Sequence, residues 1–183
     1  MVRLFLIGYS GAGKTTLGRA FARSTGLDFI DLDWYIEQRF HTDIQTLFAT
    51  RGEEGFRRIE HNLLHEVGEF ENVVISCGGG TPCYADNIDY MLSAGATIYL
   101  KASEETLFRR LRVALGSRPL LAGKSDDELR EAIRQACAER QRYYGRAKYM
   151  IDSDLLEDRA EIAGTVARLK AMLQADGILP KDE

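Results

Sequence analysis

Residues 8–15 read Gly-Tyr-Ser-Gly-Ala-Gly-Lys-Thr and satisfy G-x-x-x-x-G-K-[ST] in full. The spacing has a chemical reason. Glycines let the backbone curl until successive N–H groups point at one anion. A helix that starts after Gly13 adds the positive end of its dipole. Lys14 then reaches the β- and γ-phosphates of a nucleotide, and the Thr15 hydroxyl can ligate Mg²⁺. Gly11, Ala12, Gly13, Lys14, Thr15 and Thr16 are therefore the candidate phosphate contacts. An accidental glycine-rich turn is the bland alternative. The position between an apolar strand and a helix argues against it. The motif does not separate kinases from ATPases or GTPases.

Asp31 and Asp33 sit two apart at the carboxyl end of the next apolar segment. In a strand, period 2 would place both on one side, near the phosphate loop. Ligands of open α/β sheets bind at that edge. A carboxylate there can hold a metal's water shell or accept a proton from a substrate hydroxyl. Asp33 also reads as a helix N-cap before Trp34. Gly78-Gly79-Gly80 follows another apolar run, where three glycines suggest close approach of backbone to a ligand. That run does not end in aspartate, so Asp31 is the candidate metal-side carboxylate.

Three arginines stand out. Arg140 falls on the apolar stripe formed by Leu129, Ile133, Tyr144 and Ala147, where a guanidinium needs an anion, either an internal carboxylate or one brought by a ligand. Arg57 is four residues from Glu53, and taken alone it reads as half of a solvated helix pair. Arg118 lies in a glycine- and proline-containing segment and resembles the charge that a lid brings to a transferring phosphoryl group.

The elements that must position these residues alternate. Strands are expected at 2–7, 29–31, 73–76, 97–100 and 149–152. Helices are expected at 14–24 (stopped by Gly26), 34–40, 44–51, 53–66 and 87–94. Further helices run from the Ser103 cap to about 115, and from the Ser125/Glu128 capping box to about 147. A last helix carries Ile162, Val166, Leu169 and Leu173. Strict alternation predicts an α/β fold, a parallel sheet with helices on both faces. Residues 1–176 read as one domain, with a lid loop at about 116–127 and a frayed tail at 177–183.

Bulk properties narrow the partners. The chain has 183 residues and a formal net charge of −4, which disfavours a nucleic-acid surface. Three cysteines without zinc-ligand spacing fit a reduced, cytoplasmic protein. The apolar run ending at Ile7 is too short for a signal peptide or a membrane span.

Several separated motifs together resemble the shikimate kinase family over nearly the whole chain. They are the phosphate loop, Asp31-Leu32-Asp33, Phe56-Arg57-Arg58-Ile59-Glu60, Gly78-Gly79-Gly80, Arg118-Pro119-Leu120-Leu121 and Glu139-Arg140. The resemblance implies a P-loop NTPase fold with a five-stranded parallel sheet in order 2-3-1-4-5. It implies transfer of the γ-phosphoryl group of ATP, with Mg²⁺, to the 3-hydroxyl of shikimate on the route to chorismate. Asp33 would hold the acceptor's hydroxyls and help deprotonate one, Arg57 and Arg140 would clamp its carboxylate, and Gly79 and Gly80 would touch it. Arg118 would span the transferring phosphate and Arg110 would pack on adenine. At 140–144 the chain reads Arg-Gln-Arg-Tyr-Tyr, where many members carry a proline and a single tyrosine one residue further along. A kinase for gluconate or a nucleoside monophosphate, and a nucleotide-binding regulatory module without turnover, are the alternatives. A monomer that binds ATP and shikimate, and neither nucleic acid nor membrane, is expected.

Overall fold

The computed structural model describes residues 1–113 and 125–181. Five parallel strands, β1 (Arg3–Ile7), β2 (Asp28–Asp31), β3 (Val73–Ser76), β4 (Ala96–Lys101) and β5 (Tyr149–Asp152), form one sheet in the order β2-β3-β1-β4-β5. All four residues of β3 are buried although neighbours along a strand point to opposite faces, so both faces of the sheet are covered. The covering helices are α1 (Lys14–Thr25), α2 (Leu32–Phe40), α3 (Ile44–Gly68), α4 (Asn87–Ala94), α5 (Glu104–Val113), α6 (Asp126–Tyr144) and α7 (Arg159–Ala175). α1 packs on α7, α5 on α6, and α3 on both α2 and α4. The five-stranded P-loop fold with order 2-3-1-4-5 is therefore present.

The central strand dictates where the site lies. Leu4–Ile7 is fully inside the core, so β1 delivers the phosphate loop to the carboxyl edge of the sheet. Registration of Asp31 with Ser76, and of Ser76 with Leu6, brings the ends of β2, β3 and β1 level. The residues that follow these three strands meet at that edge.

Several boundaries differ from the sequence expectation. α2 begins at Leu32, and Asp31, not Asp33, is its N-cap, accepting from the Trp34 N–H at 3.4 Å. Asp33 thus lies in the first turn of a helix, and strand periodicity does not place it. The helices expected at 44–51 and 53–66 form one run, α3, broken by non-helical geometry at Gly52 (φ 67°, ψ 174°). Positive φ is what glycine supplies there without steric cost. The Ser125/Glu128 capping box is present, so residues 126 and 127 belong to α6 rather than to the lid loop. α6 ends at Tyr144, not near 147, because Gly145 turns the chain back toward β5. A 3-10 turn, Thr81–Cys83, follows the glycine triplet and has no counterpart in the expectation. The tail does not fray from residue 177: the Ile178 and Leu179 N–H groups bond to the Leu173 carbonyl and Leu179 is buried. The remainder of the expected lid, including Arg118, lies outside the described residues. Among the described residues no helix is long and apolar enough to cross a membrane.

Candidate active site

The phosphate loop joins β1 to α1, and Gly8, Gly11 and Gly13 all have positive φ. Lys14 is buried. Its Nζ donates to the carbonyls of Gly8 at 2.8 Å and Tyr9 at 2.9 Å, so the ammonium folds over its own loop. Two outside groups brace the loop. The Ser153 hydroxyl, just past β5, donates to the Ala12 carbonyl. Arg110 on α5 donates through Nη1 to the Gly11 carbonyl at 3.2 Å, and through Nη2 to the Ser153 carbonyl at 2.9 Å and to Glu157 at 2.7 Å. The edges of the Arg110 guanidinium are thereby engaged in protein contacts. Only its planar faces are left for an aromatic ring.

Beside the loop is a cavity of about 340 Å³ lined by Thr15, Thr16, Asp31, Asp33, Ser76 and Gly79 among others. The Thr15 hydroxyl donates to Asp31 Oδ2 at 2.7 Å, while Oδ1 of the same carboxylate caps α2. A hydroxyl and a carboxylate oxygen side by side are hard donors that suit Mg²⁺, which keeps most of its waters and takes one or two carboxylates. Ser76 occupies the end of β3 where a P-loop enzyme more often has aspartate, and it carries no charge. The carboxylate that lies beside the Thr15 hydroxyl in this cavity is that of Asp31, at the end of β2. Asp33 lines the same cavity, close to Gly78.

A second cavity of about 390 Å³ is lined by Glu53, Arg57, Gly80, Cys83, Tyr84 and Arg140 among others. Arg57 and Arg140, from α3 and α6, thus converge on one space. Arg57 Nη1 lies 2.5 Å from Glu60 Oε2, and Glu53 is more distant at 4.0 Å. The internal partner of Arg57 is therefore Glu60, not the exposed Glu53. Glu60 is almost completely buried, and its second oxygen accepts from the Thr81 hydroxyl at 2.5 Å. Arg140 has no carboxylate partner within ion-pair distance among the described residues. It lies over the Tyr9 ring, 5.2 Å from its centroid, and hydrogen-bonds the Tyr144 phenol. It is half-buried at the pocket rim rather than deep beneath the helix.

The glycine triplet separates the two cavities. A Cβ on Gly80 would come within 2.7 Å of the Arg57 guanidinium carbon. One on Gly79 would approach both Arg140 Nη1 and the Ser10 N–H at 3.3 Å. Side chains here would run into the Arg57 guanidinium and crowd Arg140 and the phosphate loop, which is the reason for glycine. Gly79 is held by the Tyr144 hydroxyl, which donates to its carbonyl at 2.6 Å. Burial, partly opposed by Arg140, pushes the Tyr144 phenol far up, so it stays a neutral donor. Burial likewise raises the Cys77 and Cys83 thiols, so neither is a ready nucleophile at neutral pH.

Of the residues singled out in the sequence, Gly11, Gly13, Lys14, Thr15, Thr16, Asp31, Asp33 and Gly79 line the first cavity, together with Arg110. Arg57, Gly80 and Arg140 line the second. Ala12 is buried and meets the site through its carbonyl, which accepts from Ser153. Glu60, Thr81, Tyr144 and Ser153 belong to the site without having been picked out for it. Glu60 and Tyr144 carry the only local signal, a charged and a phenolic side chain at apolar-stripe positions of α3 and α6.

Chemically, the arrangement pairs an anion-binding loop holding a lysine with a carboxylate and a pocket bearing two arginines one glycine away. That is the layout for moving a phosphoryl group onto an anionic acceptor. Comparison with known proteins agrees with it. The shikimate kinase family model matches residues 10–170. A shikimate kinase of Bacteroides thetaiotaomicron is 56% identical over 174 residues, covering 95% of this chain and 99% of that one. The crystal structure of a shikimate kinase from B. thetaiotaomicron superposes with a TM-score of 0.92 at 55% identity, covering 94% of this chain and 98% of that one. A shikimate kinase from Acinetobacter baumannii, solved in complex with shikimate, superposes with a TM-score of 0.85 at 27% identity, covering 96% and 94%. The chain belongs to the shikimate kinase family.

Proposed function

We propose that the chain transfers the γ-phosphoryl group of ATP to the 3-hydroxyl of shikimate, giving shikimate 3-phosphate and ADP. The observation that carries this reading is the convergence of Arg57 and Arg140 on one cavity that adjoins the phosphate loop at Gly79 and Gly80. Glu60 balances the charge of Arg57, whereas Arg140 has no carboxylate partner among the described residues, so the pocket has a guanidinium to spare for an anion, and a ligand carboxylate fits both forks.

The residues then divide the work. The acceptor's carboxylate sits between Arg57 and Arg140, with Gly79 and Gly80 letting its ring approach the backbone. Its 3-hydroxyl faces Asp33. As the hydroxyl oxygen bonds to the γ-phosphorus, its proton passes to the Asp33 carboxylate and the bond to the β,γ-bridging oxygen breaks, releasing ADP. Lys14 exchanges the Gly8 and Tyr9 carbonyls for β- and γ-phosphate oxygens. Thr15 and Asp31 would hold Mg²⁺, which neutralises phosphate charge when bound. Gly11, Ala12, Gly13 and Thr16 offer N–H donors to the phosphates, and the exposed face of Arg110 packs on adenine. Arg118, outside the described residues, is assigned on the family resemblance alone to the charge developing on the transferring phosphoryl group. The enzyme is taken to work as a monomer in the cytoplasm, a reducing compartment that matches three free cysteines.

The test is ADP release from Mg²⁺-ATP with shikimate, gluconate or a nucleoside monophosphate as acceptor. Turnover with shikimate alone is expected. Preference for gluconate or a nucleotide would replace the reading, and no release with any acceptor would favour a regulatory module.

A further inference from the structure

One turn beyond Arg57, α3 carries His61 and His65, four residues apart and so on the same helical face. Their ring centroids are 4.5 Å apart. Asp86, at the N-cap position of α4, faces them. One ring nitrogen of each histidine and one Asp86 carboxylate oxygen lie within 4.8 Å of one another. We propose that His61, His65 and Asp86 form a binding site for a divalent transition metal of the zinc class, distinct from the Mg²⁺ that serves ATP.

Four features of the surroundings support a ligand set over a chance cluster. Asp86 holds the N-cap position but its side chain makes no capping bond, so its carboxylate is not committed to α4. Asn87 fixes the His61 tautomer. Its Nδ2 donates to the Thr81 carbonyl at 2.8 Å, which leaves Oδ1 facing His61 Nδ1 at 2.6 Å. Oδ1 can only accept, so Nδ1 carries the proton and the lone pair sits on Nε2. A carbonyl oxygen holding the second N–H is how metal-bound histidines are commonly oriented. Among the described residues His65 Nε2 is buried and has no hydrogen-bond partner, a state that is rare and costly unless something else occupies it. Finally, Asp86 and His61 are 70% and 27% exposed in their side chains, which gives an entry path and room for a water as fourth ligand.

The donor set selects the metal. Imidazole suits Zn²⁺, Cu²⁺, Ni²⁺ or Co²⁺, while Mg²⁺ prefers oxygen alone. Tetrahedral bonds of about 2.0–2.1 Å put ligand atoms about 3.3 Å apart, so the exposed Asp86 side chain must swing inward by roughly an ångström. Occupancy would pin the start of α4 to α3 across Thr81–Asn87. Cys83 and Tyr84 in that segment line the cavity on which Arg57 and Arg140 converge.

Titration of metal-stripped, nucleotide-free protein with Co²⁺, followed by visible absorption and then Zn²⁺ displacement, tests the site. One equivalent with the intense bands of tetrahedral cobalt is expected. His61→Gln and Asp86→Asn, which leave the packing of His65 on Tyr90 in place, should each weaken binding by at least about tenfold. Zn²⁺ should raise the Tm of the wild type and not that of the double variant. Equal Co²⁺ affinity in wild type and double variant would overturn the site, as would a purely octahedral spectrum. A sulfur-to-cobalt charge-transfer band would place the metal on a cysteine and overturn it as well.

Discussion

Arg57 Nη1 lies 2.5 Å from Glu60 Oε2, one turn along the same helix, and Glu60 is only 1% exposed. The guanidinium is therefore aimed before any acceptor arrives. Glu60→Gln keeps the shape and removes the charge that aims it. Breaking such a buried pair typically costs about 3–5 kcal/mol. We expect a clear loss of thermal stability together with a raised KM for shikimate and a nearly unchanged KM for ATP. Equal rises in both KM values would show that Glu60 supports the fold and not the clamp.

Tyr144 links the two halves of the pocket through the Gly79 carbonyl and Arg140. Tyr144→Phe removes one hydroxyl and leaves that carbonyl without its buried donor, at a cost of about 1–3 kcal/mol. Its signature should be a higher KM for shikimate with little change for ATP. Denaturant unfolding and the two KM values, measured on the same preparation, decide this.

Asp33 should matter for chemistry more than for nucleotide affinity. Asp33→Asn removes a proton acceptor, and general-base contributions run at about 10²–10⁴-fold. A fall in kcat of that size is expected, with ADP affinity by calorimetry unchanged. Wild-type kcat in Asp33→Asn would remove Asp33 from the reaction.

Arg57→Ala and Arg140→Ala should each weaken shikimate binding strongly and ATP binding little. Truncating one partner of a desolvated charge pair costs about 2–5 kcal/mol, at least roughly thirtyfold in affinity. Lysine should rescue neither position fully, since it is a point charge and not a fork. Shikimate with its carboxylate converted to an amide should bind poorly to wild type and lose little more in either variant. Equal use of acid and amide by the wild type would defeat the clamp.

Lys14→Ala should abolish turnover. The buried ammonium is satisfied by the Gly8 and Tyr9 carbonyls, so its loss also slackens the loop locally. Circular dichroism should show the fold retained while activity with saturating Mg²⁺-ATP falls to background. Near-normal turnover would contradict the role proposed for the loop.

The sequence reveals features whose cause is local. β3 and β5 are read to the residue because short apolar runs bounded by polar or glycine residues have few alternatives. The phosphate loop is legible for the same reason, since its glycines, lysine and threonine are contiguous. Relations between distant segments are not. That Glu60 rather than Glu53 holds Arg57 depends on Thr81 arriving from beyond β3. That Asp31 serves both α2 and Thr15 depends on where β2 stops, a boundary that three residues of Asp-Leu-Asp do not fix. Only the packing of α4 against α3 brings the Asp86 carboxylate to the histidines.

The sheet order also bears on how the chain is made. β1 is the first strand to leave the ribosome but is flanked on both sides only late, because its neighbours β3 and β4 begin at residues 73 and 96. At about 5–20 residues per second, the apolar run Leu4–Ile7 waits roughly 5–20 s for the end of β4. During that time it is an unpaired apolar strand, open to wrong partners. The phosphate loop hanging from it has no fixed shape until both flanks close. Its braces come later still, since Arg110 is on α5 and Ser153 lies past β5, so the loop is complete only when the last strand has been made.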